Sequence, residues 1–317
     1  MARISPLEEK VDHLFDEQVV NWPMAKQNYE GLKEVKTRSL EFNPFTLMRV
    51  QFNPARMRSS AAKVDAKSIQ ERKCFLCQEN LPPEQNQVAF RKDYLILVNP
   101  FPIFPRHLTI PHVSHTDQRI KGRLSDMLSL ARELPGFVIF YNGPNCGASA
   151  PDHFHFQAGN KNFMPVEAEF KVHPQASLLL DSKGLKVFSI DEYLRKTLVL
   201  EGDDSFEMEG WFNKVYKLLD ALQNNGEEPM LNILCSWEKA RWQLFIFPRQ
   251  GHRPRQFFAE GDEQIVFSPA SVDFGGVLIT PREEDFHKLD HDVVIDVFKQ
   301  VTLNDNDWEL VKRMFQE

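Results

Sequence analysis

Basic residues do not outnumber acidic ones in this chain. In 317 residues, 38 Lys and Arg stand against 45 Asp and Glu, a formal charge of -7 with a pI near 5.9. With no cationic excess to neutralise a polyphosphate backbone, a general nucleic-acid binder is excluded, and any phosphate must be met by local basic clusters. Cysteine is scarce too. Four residues, two of them in one C-x-x-C, make no disulfide framework in a chain this long. No apolar run reaches the roughly 20 residues that span a bilayer, and the first residues lack the apolar core of a secretory signal. A cytoplasmic location away from membranes is therefore the expectation. Neither a P-loop nor a magnesium-binding acidic pair is evident, so phosphate chemistry here would have to proceed without them.

What is present begins with 42% hydrophobic residues, enough to bury a large core. The informative stretch runs from Asn142 to Ala158. Asn, Gly and Pro cluster from 142 to 151 and predict an irregular loop, after which His153, His155 and Gln157 recur with period two. That period predicts a strand with three polar side chains on one face and Phe154 and Phe156 on the other. An imidazole with one nitrogen hydrogen-bonded to a carbonyl is held in a single tautomer, and its other nitrogen is free as base, ligand or nucleophile. The row could thus bind a metal, relay a proton or attack phosphorus and carry a nucleotidyl group.

Ahead of the row, Ser5-Pro6 predicts a capped helix start, and residues 35 to 52 read as two strands around Asn43-Pro44. Residues 59 to 71 suggest a surface loop. Cys74-Phe75-Leu76-Cys77 is a zinc knuckle, a redox pair or a coincidence; with no second C-x-x-C, a zinc site would have to borrow distant ligands. Strands are predicted at 94–98 and 107–111, a helix from about 114 to 133, and an apolar strand at 137–141 feeding the loop. Farther on come a helix from Ser205 to Gln223, a hairpin around Glu238-Lys239-Ala240, and a basic turn with Arg249, His252, Arg253 and Arg255. That turn could hold a phosphate or lie exposed in water.

His153-Phe154-His155-Phe156-Gln157 resembles the H-x-H-x-Q signature of the nucleotidyltransferase branch of the histidine-triad superfamily. Galactose-1-phosphate uridylyltransferases, GDP-hexose phosphorylases and diadenosine tetraphosphate phosphorylases make up that branch. Gly147-Ala148-Ser149 is similar to the loop before the signature, although Asp152 makes the connection one residue longer. The resemblance implies an α+β fold of antiparallel sheets with packed helices in two pseudo-repeated halves. Residues 1–160 would carry the signature, and 161–317 would lack it.

The resemblance also implies roles. His155 would be the nucleophile, with Gln157 and Ser149 assisting it. Asn142, Gly147, Ala148, Arg56 and Arg58 would meet the substrate. Cys74, Cys77, His115 and His153 would hold a structural zinc ion, while His107 and His112 would serve as support. The implied activity is transfer of a nucleotide from a nucleoside diphosphate sugar or dinucleoside polyphosphate, through a nucleotidyl-histidine, to inorganic phosphate or a sugar-1-phosphate. A homodimer is compatible with it. Two rivals stay open at this point: a zinc-dependent hydrolase, and a nucleotide-binding protein of the same fold without catalysis.

Overall fold

The computed structural model describes residues 5–57, 65–191, 194–224, 226 and 228–316. Helix α1 (Pro6–Asn21) starts where the Ser5 hydroxyl accepts the Glu8 N–H at 3.0 Å, with proline in the first turn. Its buried side chains Val11, Leu14 and Phe15 recur at helical spacing. Trp22 breaks the helix, and Pro23 opens α2 (Pro23–Gly31).

Strands β1 (Lys36–Asn43) and β2 (Thr46–Phe52) then form a hairpin. After it the chain makes β3 (Gln87–Phe90), β4 (Tyr94–Val98), β5 (His107–Pro111), helix α3 (Leu124–Glu133), β6 (Phe137–Asn142) and β7 (His155–Asn160). A second series follows: β8 (Ala176–Ser182), β9 (Leu185–Ile190), β10 (Thr197–Gly202), helix α4 (Ser205–Gln223), β11 (Leu231–Glu238) and β12 (Arg241–Pro248). The chain closes with β13 (Val277–Thr280), α5 (His291–Val301) and α6 (Asp305–Arg313).

Ten strands form one antiparallel sheet in the order β3-β4-β5-β7-β6-β11-β12-β10-β9-β8. The order reads alike from either end: three strands, a helix, then two strands whose positions are exchanged. The seam is β6 against β11, where Asn142 pairs with Asn232. Each face of the sheet is covered. Phe154, Phe156, Ile139 and Tyr141 pack under α1, α3, α4 and α6, whereas Val138, Phe140, Phe245 and Phe247 pack under α5 and the smaller sheet β1-β2-β13. Alternation along β7 therefore sends Phe156 to the helices, with Phe154 just before the strand, and His155 and Gln157 toward the smaller sheet.

Two sequence expectations need correction. The helix expected from about 114 begins at Leu124, because Gly122 turns left-handed at φ +73° and the stretch before it is drawn into loops around β7. Of the loop expected over 59–71, residues 59–64 lie outside the described ones, and Ala66–Glu71 is a short helix whose N-terminus Asp65 caps through Ser68 N–H at 3.0 Å. The α+β class and its antiparallel sheets stand as expected. Among the described residues no helix is long and apolar enough to cross a membrane.

Candidate active site and metal centre

The ladder between β6 and β7 stops at Phe140 opposite Gln157. Beyond it the side-chain amide of Gln118 takes over. Its oxygen accepts the His155 N–H at 2.8 Å, and its nitrogen donates to the carbonyls of His155 and Asn142 at 3.0 Å each. Gln118 is fully buried. The two strand ends are thus separated by one amide and still fully bonded, which opens the gap in which the polar row sits.

Nδ1–H of His155 donates to the His153 carbonyl at 2.9 Å, so the lone pair on Nε2 serves the cavity that this residue lines. Burial pushes the His155 pKa down to about 4, which keeps the ring neutral at ordinary pH. Beside it, His107 Nε2 meets Gln157 Oε1 at 3.1 Å while His107 Nδ1 accepts the Ile103 N–H at 3.2 Å. A backbone N–H can only donate. His107 must therefore donate from Nε2, and the Gln157 amide must turn its NH2 end away from His107. On the other flank, Asn142 Oδ1 accepts from Ser271 N–H at 2.8 Å and from Asn232 Nδ2 at 3.0 Å.

These groups line a cavity of about 670 Å³ between the large sheet and β13. His155, Gln157, Ser149, Asn142, Gly147, Ala148 and Arg56 all border it, so the structure gathers the expected catalytic and substrate-binding residues in one place. Arg58 lies outside the described residues. Arg56 reaches in from behind β2, donating to the Phe101 carbonyl at 2.6 Å. Gly147 has φ +95°, and a side chain there would collide with Ala270, so glycine lets the loop press against the far wall. Trp22, Phe75, Leu81 and Phe101 add apolar and aromatic surface to the cavity lining.

The basic turn divides. Arg249 is wholly buried and spends its guanidinium on five oxygens, those of Val301, Asn232, Pro269, Gly251 and His252. Arg255 pairs with Asp296 at the surface. Only His252 and Arg253 of this turn face the cavity.

The metal expectation meets a matching cluster. One ligand atom from each of Cys74, Cys77, His115 and His153 lies within 4.8 Å of the others. His153 Nδ1 is 3.2 Å from Cys74 Sγ and 3.6 Å from Cys77 Sγ, and His115 Nδ1 is 3.2 Å from Cys77 Sγ. Neighbouring ligands of a tetrahedral ion with Zn–S near 2.3 Å and Zn–N near 2.1 Å stand roughly 3.6 Å apart. The tautomer fits as well: His153 Nε2–H donates to the His112 carbonyl at 2.7 Å, which leaves Nδ1 as the ligand atom. Asp152 stands 3.7 Å from His115 Nε2 and pairs with Arg72. The extra residue in the loop thus backs the cluster. His153 joins both centres, its ring in the cluster and its carbonyl on the His155 imidazole.

Sequence reasoning missed Gln118, Asn232 and Ser271 and left His107 as support. Gln118 carried no signal, since it sat in a stretch read as helix. His107 lies in the strand expected at 107–111, and its nearness to Gln157 is visible only through sheet register.

Residues 14–160 match a family described as a domain of unknown function, DUF4922, and residues 169–317 match the one described as GDPGP1-like, C-terminal domain. No curated protein matches the chain. Among solved structures, yeast Ap4A phosphorylase Apa2 superposes with TM-score 0.64 and 16% identity over 94% of this chain and 98% of that one. The same enzyme in complex with Ap4A gives 0.62 and 17%, again over 94% and 98%. In complex with AMP it gives 0.62 and 17% over 94% and 96%. The fold is that of yeast Ap4A phosphorylase Apa2.

Proposed function

We propose that the chain is a nucleotidyltransferase or phosphorylase that carries a nucleotide on His155. The observation behind this is one buried, neutral imidazole with Nδ1 tied to a carbonyl and Nε2 presented to a cavity between two amides. The lone pair on Nε2 would attack the α-phosphorus of a nucleoside diphosphate sugar or a dinucleoside polyphosphate. A P–N bond forms, the bridging P–O bond breaks, and the distal phosphate leaves with the electron pair. An oxygen of inorganic phosphate or a sugar-1-phosphate then attacks the same phosphorus and frees the imidazole. Charge gathers on the non-bridging oxygens throughout, and Gln157, Asn142, Ser149 and Arg56, which border the cavity, would meet it with donors. That a solved neighbour is a phosphorylase, in one structure in complex with Ap4A, supports this reading, as does the match to a GDPGP1-like domain.

Cys74, Cys77, His115 and His153 would hold Zn2+ in a structural role. Four protein ligands fill a tetrahedral ion and leave no position for water, which weighs against the zinc hydrolase. A bound ion would stiffen His153 and, through its carbonyl, the tautomer of His155. The mirrored strand order further supports two copies of one plan, in residues 1–160 and 161–317, with chemistry in the first.

The test is direct. GDP-glucose, UDP-glucose and diadenosine tetraphosphate, each labelled at the α-phosphorus, are incubated with the protein and the acid-labile label is mapped. Label is expected on His155 with one of them. His155→Asn should lose turnover by roughly 10⁶-fold, the scale of deleting a covalent nucleophile. Label elsewhere, no label at all, or undiminished activity in that variant would sink the proposal.

A further inference from the structure

The second half sends no imidazole into the cavity from its strands, yet one of its buried chains of hydrogen bonds ends on the first half's Asn142. It starts at Arg249, a guanidinium that can only donate. Arg249 Nη1 lies 2.5 Å from Asn232 Oδ1, so the Asn232 amide must turn its NH2 the other way. That end meets three acceptors: Cys146 O at 2.8 Å, Asn142 Oδ1 at 3.0 Å and Ser271 Oγ at 3.2 Å. The Cys146 carbonyl cannot donate, so both ends of Asn232 agree on one orientation. Asn142 is then bound to present its oxygen to Asn232, and the Ser271 backbone N–H at 2.8 Å, another obligate donor, demands the same. What remains for the cavity is the Asn142 NH2.

We propose that Arg249 and Asn232 are positioning residues that fix the polarity of Asn142, so that the cavity meets a hydrogen-bond donor at that point. This deepens the reading of a phosphate-handling site and rests on it. A donor favours an anionic phosphoryl oxygen, whereas a flipped amide would aim a carbonyl at the same charge. Arg249 and Asn232 are both fully buried, and Asn142 is 6% exposed, so water does not stand in for any member of the chain. Burying a guanidinium whose hydrogen bonds all go to carbonyls is costly, and a packing role would be met by an apolar side chain.

Asn232→Asp tests the idea with almost no change of shape. The carboxylate still accepts from Arg249, but its second oxygen repels Asn142 Oδ1, and the Asn142 amide should flip. GMP and AMP serve as probes by calorimetry, since binding them needs no turnover. The tighter of the two should bind roughly ten- to a hundredfold more weakly, the loss of a hydrogen bond to a charged group. In an Asn142→Ala background the same substitution should add less than about twofold, because it acts through Asn142. Unchanged binding in Asn232→Asp, losses that multiply, or a native protein that binds neither nucleotide would overturn it. Should Asn232→Asp fail to fold, the native protein still decides. Its Asn142 Nδ2 protons, assigned in ¹⁵N spectra by their absence in Asn142→Ala, should move downfield when the probe binds, and fixed positions would refute the assignment. If binding behaves as expected while no label reaches His155, the nucleotidyl-transfer reading falls and the polarity assignment stands.

Discussion

Strands β7 and β12 hold the same place in the mirrored halves of the sheet, and on the face toward the smaller sheet they carry opposite chemistry. On β7 that face bears His155 and Gln157 beside a cavity; on β12 it bears Phe245 and Phe247, both closed into the core. One backbone plan can therefore build a site or a wall, and what differs is whether the neighbouring amides and loops leave the strand end open. Gln118 does this for β7. The second half contributes its polarity end-on across the seam, through Asn232 to Asn142 and through Glu228 to Tyr141 and Ile120. It acts on the first half's strand ends, away from its own strand faces.

The sharpest way to break the comparison is the metal centre. Among the described residues the first half has the one four-ligand cluster. Stripping metal with a chelator, or Cys74→Ser, should lower stability by several kcal/mol, part of the roughly 10–16 kcal/mol that structural zinc supplies in small domains. It should also cut transfer roughly ten- to a hundredfold through the His153 carbonyl. Scanning calorimetry with metal analysis is the check. Equal melting temperatures for the native protein and Cys74→Ser would remove the metal from the account.

Next is the orientation of Gln157. His107→Phe keeps a ring of similar size and removes the N–H that holds Gln157 Oε1. Transfer should fall roughly 10²- to 10³-fold in kcat with KM little altered, the scale of losing one oriented donor. Gln157→Ala should add nothing to it. Burial holds the His107 pKa down at about 3, so the imidazole stays neutral from pH 5 to 9 and the loss should be flat over that range. A loss that varies with pH there would mean that His107 acts as an acid or base.

The contrast also explains what the sequence could tell. Period two exposed His155 and Gln157, because the face a residue takes in a strand is a local matter; His153 falls before the strand, which begins at His155, and its ring joins the cysteine cluster instead. The cap at Ser5, the hairpins and the C-x-x-C are local in the same way. Gln118 was invisible because its partners, His155 and Asn142, lie 37 and 24 positions away. Arg249 misled for a related reason. A cluster of arginines after a strand reads as a phosphate clamp or a wet loop, and only the folded chain brings five oxygens around one of them. Even the overlong helix expected from 114 came from residues whose apolar spacing was genuine but whose backbone is claimed by loops around β7.

Glu228 offers the smallest and most discriminating test across the seam. Burial, outweighing its bonds to Tyr141 and to the Ile120 N–H, raises its pKa from 4.5 to about 7. Protonated, the carboxyl can donate to the Tyr141 hydroxyl, which then donates to the Gln118 carbonyl at 3.1 Å, and every member of the chain is satisfied. Ionised, it is a buried anion without a cation in hydrogen-bond reach among the described residues. Between pH 4.5 and 7 the folded protein holds a proton that the unfolded chain has released, so stability contributed by this group falls as pH rises and is gone above about 7. At about 1.4 kcal/mol per unit the whole effect is no more than roughly 3.5 kcal/mol. Glu228→Gln copies the protonated form, with an oxygen for Ile120 and an NH2 for Tyr141. In urea titrations the variant should match the native protein near pH 4.5, exceed its stability by about 2–3 kcal/mol at pH 8, and keep Gln118 in place, so that transfer above pH 7 is preserved or improved. If the native protein gained stability relative to Glu228→Gln on going from pH 5 to pH 8, the carboxylate would be the form the fold selects, and Gln118 would be held by an anion.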